Sequence, residues 1–217
     1  MKIYHMPPCI LALAFDMDLT LYSDAGYAQF QIDSLIEKMG DRLGFGFEEM
    51  KMKVDEERRI WAASHGGKKP SLTNVMAGFG ISMEDNIRWR EESYDPGKFL
   101  KEDKRLRQTL KELSGVYKVG VVTNNPVLIA RKTLAALGVE ESFPILVGLD
   151  TCYATKPDQK PFIKFSELSG CPLESCISIG DRYDIDLDLP LEMGMGAILV
   201  DGVEDVYRLP ELLLNNR

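Results

Sequence analysis

The sequence predicts an α/β fold with a mostly parallel sheet that is covered by helices on both faces. From Lys98 onward, apolar segments of strand length alternate with amphipathic helices. The strands read as continuous apolar runs, which is typical of a sheet buried on both faces. The stretch from Tyr22 to about Ser93 contains no predicted strand, so it interrupts this alternation as a helical insertion.

Glycine and proline delimit the elements of the predicted sheet domain. Gly115, Gly138 and Gly170 each follow a helical pattern, and Pro126 lies at the first turn of another. The predicted strands are residues 10–15, 116–123, 143–149, 176–180 and 197–201. The predicted helices between them are residues 103–114, 126–137 and 161–169.

The insertion is predicted to consist of four helices. Their ranges are 29–40, 48–63, 71–79 and 83–92, separated by glycine and proline. A turn signal, Asp95-Pro96-Gly97, marks the return to the sheet domain. We therefore expect a core formed by residues 1–21 and 98–217 and an inserted helical cap formed by residues 22–97.

Composition narrows the classes of partner. The 217 residues carry a net charge of −8 with no long basic run, which argues against a nucleic acid polymer or an anionic membrane surface as a partner. No apolar run is long enough to span a bilayer, and the N-terminus lacks the layout of a secretory signal. The four cysteines form no C-x-x-C pair, so we expect reduced thiols in a cytoplasmic protein. No feature specifies an oligomeric state.

Two carboxylates end the first apolar strand. Asp16 and Asp18 are separated by one residue, and alternate side chains of a strand share a face, so both can point into one site. Carboxylates this close repel each other unless a cation or a shared proton offsets them. Mg²⁺ is the expected cation because it takes oxygen ligands.

Polar residues also follow the other predicted strands. In a parallel sheet, ligands bind at the carboxyl ends of the strands, so these residues are expected to meet Asp16 and Asp18 at one edge. Each motif alone has an ordinary explanation as a helix cap, a solvated lysine or an acidic turn. Their arrival in order at one edge favours a phosphate and metal site. The residues are Thr123, Asn124, Lys156, Asp181, Asp184, Asp186 and Asp188.

These motifs resemble those of the haloacid dehalogenase-like superfamily. The four segments are FDMDLTLY, VVTNN, the lysine of TKPDQKPF and IGDRYDID. The resemblance covers nearly the whole chain and implies a Rossmann-like core with a cap inserted after the first motif. Dehalogenase members lack the second aspartate, so Asp18 implies a phosphatase or phosphomutase.

The resemblance implies a nucleophile and an acid/base. Asp16 would attack phosphorus to form an aspartyl-phosphate, and Asp18 would protonate the leaving oxygen and later activate water. Thr123, the Asn124 backbone and Lys156 would neutralise the phosphoryl oxygens. Lys160 is the weaker candidate for the lysine.

The resemblance also implies a Mg²⁺ site. Its ligands would be the Asp16 carboxylate, the Asp18 backbone carbonyl and Asp181. Asp186 would support the site, and Asp184 competes with Asp186 for that role. In the first motif, Leu19 stands where glycine or asparagine is usual.

A looser resemblance concerns the cap. Segments such as LTLYSDAGYAQFQIDSLIEKMGDRLG resemble pyrimidine 5′-nucleotidase-like members. This implies a phosphatase of small phosphate esters, with nucleoside monophosphates as expected substrates. Trp61, Trp89 or Tyr27 could stack on a base, although core packing is the commoner role of such aromatics. A phosphosugar mutase and a non-catalytic regulatory protein on the same fold are the alternatives.

Overall fold

A six-stranded sheet forms the centre of the molecule. In the computed structural model, which describes residues 1–214, the strand order is β1-β6-β5-β2-β3-β4. All neighbouring pairs are parallel except β1 and β6, which are antiparallel. The strands are β1 (Lys2–His5), β2 (Ala12–Phe15), β3 (Lys118–Val122), β4 (Ile145–Val147), β5 (Cys176–Gly180) and β6 (Gly196–Leu199). The predicted α/β class is confirmed.

β2 lies in the middle of the sheet because all four of its residues are apolar and buried. Leu13 and Phe15 pack into one hydrophobic cluster, whereas Ala12 and Ala14 pack into another. Alternate residues of a strand point to opposite faces, so the two clusters cover the two sides of the sheet. The first residue after β2, Asp16, therefore emerges at the carboxyl edge between β3 and β5.

β1 is a strand that the sequence analysis did not predict. All four of its residues, KIYH, are exposed, so its sequence lacks the apolar run that marks the other strands. Backbone pairing with β6 makes it an edge strand. A short, charged edge strand of this kind leaves little sequence signal because it contributes almost nothing to the core.

The remaining elements of the sheet domain are helices. The helices predicted over residues 103–114, 126–137 and 161–169 are present to within two residues at each end, whereas four short helices were not predicted. Caps explain two of these bounds: the Asp103 side chain accepts a hydrogen bond from the backbone N–H of Leu106, and Gly170 ends its helix in the left-handed region. The helices of four or more residues are α5 (Lys104–Ser114), α6 (Val127–Ala136), α7 (Leu149–Cys152), α8 (Gln159–Ser169), α9 (Asp188–Glu192), α10 (Val203–Val206) and α11 (Leu209–Leu214), with a π-helical turn at Tyr183–Leu187.

Four helices separate β2 from α5. They are α1 (Ala25–Leu43), α2 (Phe47–Ser64), α3 (Leu72–Gly78) and α4 (Met83–Ser93). Asp24, Ser71 and Ser82 cap three of them through side-chain hydrogen bonds. Their apolar faces form a cluster of their own, which also includes Ile129 of α6. Packing of this cluster against Ile129 holds the helices next to the carboxyl edge of the sheet.

Two further expectations from the sequence concern disulfide bonds and membrane-spanning helices. Cys9, Cys152, Cys171 and Cys176 are free thiols. Among residues 1–214, no helix is long and apolar enough to cross a membrane.

Candidate active site

The loop after β2 turns sharply at Leu19. This residue has a φ of +58°, in the left-handed region that side chains other than those of glycine, asparagine and aspartate rarely adopt. The N–H of Leu21 donates to the carbonyl of Met17 at 2.9 Å and closes the turn. Glycine and asparagine adopt this conformation more readily, which explains why they are usual at this position in the family that the motif resembles.

A buried lysine lies between two buried carboxylates. The Lys156 Nζ donates to Asp16 Oδ1 at 2.6 Å and to Asp186 Oδ1 at 2.7 Å, and all three side chains are almost fully enclosed. Burial opposes the charge of Lys156, but Asp16 and Asp186 outweigh this and raise its pKa. The site thus holds a fixed positive charge beside Asp16.

The surroundings of Asp16 change the pKa of its carboxyl group. Burial raises its pKa to about 7; Lys156 opposes the rise, while Asp186 and Asp181 add to it. A further cation at this position would stabilise the ionised carboxylate at neutral pH.

Three carboxylates offer a site for that cation. Asp16, Asp181 and Asp186 each present an oxygen, and these oxygens lie within 4.8 Å of one another. Within the described residues, Asp181 Oδ1 is buried and accepts no hydrogen bond, and Arg182 Nε lies 3.8 Å from it. Burial raises the pKa of Asp181 to about 6. Oxygen ligands with an unsatisfied buried carboxylate oxygen fit a hard divalent cation such as Mg²⁺.

The structure places Asp186, rather than Asp184, in this cluster. The π-helical turn after Asp181 brings Asp186 back beneath the end of β5, where the Arg182 N–H donates to Asp186 Oδ2 at 3.1 Å. A Cβ on Gly180 would lie 2.5 Å from the Asp186 Cβ, so glycine is required for this approach. Asp184 instead accepts a hydrogen bond from the Lys69 N–H at 3.3 Å.

Thr123 and Asn124 follow β3 and meet Lys156. The Asn124 carboxamide accepts from the Lys156 N–H at 2.7 Å and donates to the Lys156 carbonyl at 3.2 Å. The Thr123 hydroxyl is buried and accepts from the Asn125 N–H at 3.1 Å. Asn124 therefore fixes the backbone that carries the site lysine, whereas Lys160 is exposed.

Asp18 is held by three donors from other parts of the chain. Tyr22 Oη and Gln31 Nε2 donate to Asp18 Oδ1 at 2.6 and 3.0 Å, and Asn125 Nδ2 donates to Asp18 Oδ2 at 2.8 Å. Gln31 lies on α1, so an inserted helix directly contacts this carboxylate. These contacts fix the orientation of the Asp18 carboxylate.

A second hydrogen-bonded layer continues into α4. Arg90 donates to Asn125 Oδ1 at 2.7 Å, to Asn86 Oδ1 at 2.8 Å and to Thr73 Oγ1 at 3.3 Å. The sequence analysis did not identify Gln31 or Arg90 as site residues. Both belong to helical patterns whose polar positions resemble ordinary surface residues, so only their burial reveals them.

A cavity of about 230 Å³ lies between these layers. Its floor includes Asp18, Asn124 and Asp181, and its roof includes Gln31 and Arg90. The space can therefore accept a small molecule in contact with both the sheet edge and the inserted helices.

The aromatic residues considered for base stacking lie elsewhere. Tyr27 and Trp89 are buried in hydrophobic clusters, which makes them core residues. Trp61 stacks on His65 at a ring-centroid distance of 3.7 Å. No member of this group lines the cavity.

Comparison with known proteins agrees with this fold. A family model described as haloacid dehalogenase-like hydrolase matches residues 10–192, which is most of the chain. The fold and site define an α/β protein with a cluster of three carboxylates at the carboxyl edge of its parallel strands. The chain belongs to the haloacid dehalogenase-like hydrolase family, whose members are generally metal-dependent.

Two named relatives share about a quarter to a third of their residues with this chain, at 26% and 33% identity. The chain is 26% identical over 195 residues to a glyceraldehyde 3-phosphate phosphatase of Methanothermobacter thermautotrophicus, covering 88% of this chain and 85% of the relative. It is 33% identical over 180 residues to a provisionally named pyrophosphatase, PpaX, of Caldanaerobacter subterraneus, covering 81% and 76%.

A solved structure of a HAD phosphatase from Thermococcus onnurineus has the same fold. It superimposes with a TM-score of 0.65 at 21% identity and covers 94% of this chain and 98% of that chain.

Proposed function

We propose that this protein is a Mg²⁺-dependent phosphatase that hydrolyses small phosphate monoesters through an aspartyl-phosphate on Asp16. The observation that carries the proposal is the buried contact of Lys156 with Asp16 and Asp186, beside an Asp181 oxygen that accepts no hydrogen bond from the described residues. Phosphoryl transfer requires a positioned nucleophile and compensation of charge on the phosphoryl oxygens, and this arrangement supplies both. The phosphatases among its relatives support the same class.

The reaction takes two displacements. An Asp16 carboxylate oxygen forms a bond to phosphorus while the bond to the leaving oxygen breaks, and Asp18 gives that oxygen a proton. Asp18 then takes a proton from water as the water oxygen attacks phosphorus and releases Asp16. Thr123, Asn124 and Lys156 bind the phosphoryl oxygens in both steps.

Asp16, the Asp18 carbonyl and Asp181 would hold Mg²⁺, with Asp186 supporting them. The ion would neutralise phosphoryl charge during transfer. Residues 22–97 would act as a cap that encloses the leaving group, because Gln31 contacts Asp18 and the cavity roof comes from this segment. The free cysteines support a cytoplasmic location.

Removal of divalent metal is expected to abolish phosphate release from p-nitrophenyl phosphate, and added Mg²⁺ should restore it. Asp181→Asn should raise the Mg²⁺ concentration needed for half-maximal rate, because the amide is a weaker ligand than the buried carboxylate. Isothermal titration of Mg²⁺ into both proteins measures the same change without turnover. Asp188→Asn is the control, since Asp188 pairs with Lys68 outside the cluster. Full turnover in excess EDTA would contradict the proposed metal dependence.

Asp18→Asn should retain the nucleophile but lose the proton donor, which is expected to slow hydrolysis of alkyl phosphates by roughly 10²–10⁴-fold. The loss in the first step should be smaller for p-nitrophenyl phosphate, because its leaving group needs little protonation. Rapid-quench measurement of released p-nitrophenol separates this step from the second. An equal loss for both leaving groups would argue against a role for Asp18 as the acid.

The range of substrates is tested with a panel of phosphate esters. The looser resemblance predicts UMP among the preferred substrates, so the panel compares kcat/KM for UMP, AMP, glucose 6-phosphate and phosphoglycolate. Hydrolysis of several of these esters with Mg²⁺ is the expected result. A preference for a non-nucleotide would discard the nucleotidase prediction and leave the phosphatase proposal standing.

A further inference from the structure

We propose that the preferred substrate carries a second anionic group, which binds Arg90 in the cavity above Asp18. The group is a carboxylate or a second phosphate close to the phosphoryl that is transferred. The inference rests on the proposed phosphatase function and specifies its substrate class. The inference depends on the surroundings of one buried arginine, Arg90, which has no ion pair with any described residue.

Two cationic side chains are buried within residues 1–214, and they differ in their partners. Lys156 contacts two carboxylates, whereas Arg90, only 6% exposed, has no ion pair with any described residue. Its three hydrogen-bond partners, Asn125, Asn86 and Thr73, are all neutral. The Tyr94 ring lies 5.8 Å from the Arg90 guanidinium and offers only a weak cation–π contact. Burial of a charge without a directly paired carboxylate is unfavourable, so the position indicates a role for the charge itself.

Arg90 also has donors to spare. A guanidinium carries five N–H groups, and the contacts to described residues engage one on each of its three nitrogens. Arg90 lines the cavity, so its remaining N–H groups are available to a ligand there. The planar fork of a guanidinium suits the paired oxygens of a carboxylate or a phosphate.

The spacing between Arg90 and the reaction centre is short. A single side chain, Asn125, connects them, since its Oδ1 accepts from Arg90 and its Nδ2 donates to Asp18. The three donors to Asp18 are Tyr22, Gln31 and Asn125, so the guanidinium of Arg90 does not bind Asp18 directly. The second anionic group therefore lies a few bonds from the phosphoryl, as in a phosphorylated two- or three-carbon acid or a short bisphosphate.

This substrate class differs from nucleoside monophosphates. A nucleoside is neutral, so it offers Arg90 no anionic group. Among the described residues that line the cavity, the aromatic one is Tyr94, which is 2% exposed and donates its hydroxyl to the Gln31 carbonyl, so it presents no open face to a base. The structural features therefore favour a small anionic substrate over a nucleotide.

The test compares matched substrates that differ only in the second charge. These are 2-phosphoglycolate against 2-hydroxyethyl phosphate, and propane-1,3-diyl bisphosphate against 3-hydroxypropyl phosphate, with UMP added. The wild-type protein should prefer the anionic member of at least one pair by about 10-fold to 100-fold in kcat/KM. The two pairs distinguish a carboxylate from a phosphate.

Variants at Arg90 assign the preference to its charge. R90Q should lower the anionic-to-neutral ratio by about 10-fold or more, mainly through KM, and R90K should retain part of it. Any loss of Asn125 orientation slows both substrates equally and cancels in the ratio. The matched control is R88Q on the same helix, since Arg88 is exposed and pairs with Asp85; its ratio should stay at the wild-type value.

Three results would overturn the inference. The wild-type protein could show no anionic preference or favour UMP, or R90Q could slow both members of each pair by the same factor. The last result would make Arg90 a positioning residue for Asn125. Hydrolysis of p-nitrophenyl phosphate without an anionic preference would sink this inference alone, whereas absence of Mg²⁺-dependent hydrolysis of every ester would reject the proposed function with it.

Discussion

Asp16→Asn is expected to abolish turnover, with a loss of at least about 10⁴-fold, because removal of the nucleophile from a covalent hydrolase lowers kcat by up to roughly 10⁶-fold. The amide nitrogen and oxygen are poor nucleophiles toward phosphorus, and the side chain can no longer form an acyl-phosphate. Acid quenching with ³²P-labelled substrate should trap a phospho-enzyme in the wild-type protein and none in the variant.

Asp41→Asn provides the matched control for this substitution. Asp41 lies exposed on α1, so the same chemical change there should leave the rate and the trapped label unchanged. Thermal melting of both variants identifies a folding defect. Retention by Asp16→Asn of a tenth of the wild-type rate would show that Asp16 is not the nucleophile.

Lys156→Met should be strongly destabilising. The lysine is 1% exposed and joins Asp16 and Asp186, so its loss leaves two buried carboxylates without their paired cation. Arg182 is still near the cluster, but its Nε lies 3.8 Å from Asp181 Oδ1 and forms no ion pair with Asp16 or Asp186 among the described residues. Removal of one partner from a buried ion pair typically lowers the free energy of unfolding by about 3–5 kcal/mol. Urea unfolding in EDTA measures this change without a contribution from bound metal.

A second variant separates charge from packing. Lys156→Met combined with Asp186→Asn removes one of the uncompensated charges, so it should recover part of the lost stability. Lys160→Met, at an exposed position four residues later, should change stability by no more than about 0.5 kcal/mol. A decrease below about 1 kcal/mol for Lys156→Met would contradict the electrostatic account of this cluster.

The sheet and its carboxyl edge could be predicted from sequence because they depend on short local patterns. An apolar run predicts a buried strand, and the polar residue that follows it must lie at the strand end. Because each motif follows a strand, the order of the motifs alone predicts that Asp16, Lys156 and Asp181 lie at the same edge of the sheet. The spacing of Asp186 from Asp181 favoured it over Asp184, and the π-helical turn supplies the physical reason.

The contacts made by the inserted helices could not be predicted in this way. Gln31 and Arg90 reach the site because α1 and α4 pack across the sheet edge, and this depends on tertiary packing far from either residue in sequence. The spacing of apolar residues identifies the helices, but it does not show which polar side chain of a helix becomes buried. β1 was missed for a related reason, since its pairing depends on the backbone of β6 rather than on its own side chains.

The pairing of β2 has a consequence for the order in which the chain can fold. Ala12 pairs with Lys118 and Cys176, so both neighbours of the central strand are synthesised long after it. While the chain leaves the ribosome, α1 to α4 can form from local contacts, but β2 must remain without its sheet partners. Asp16 and the carboxylates Asp181 and Asp186 therefore meet only when synthesis has passed β5, and the three-carboxylate cluster is absent from every shorter nascent chain.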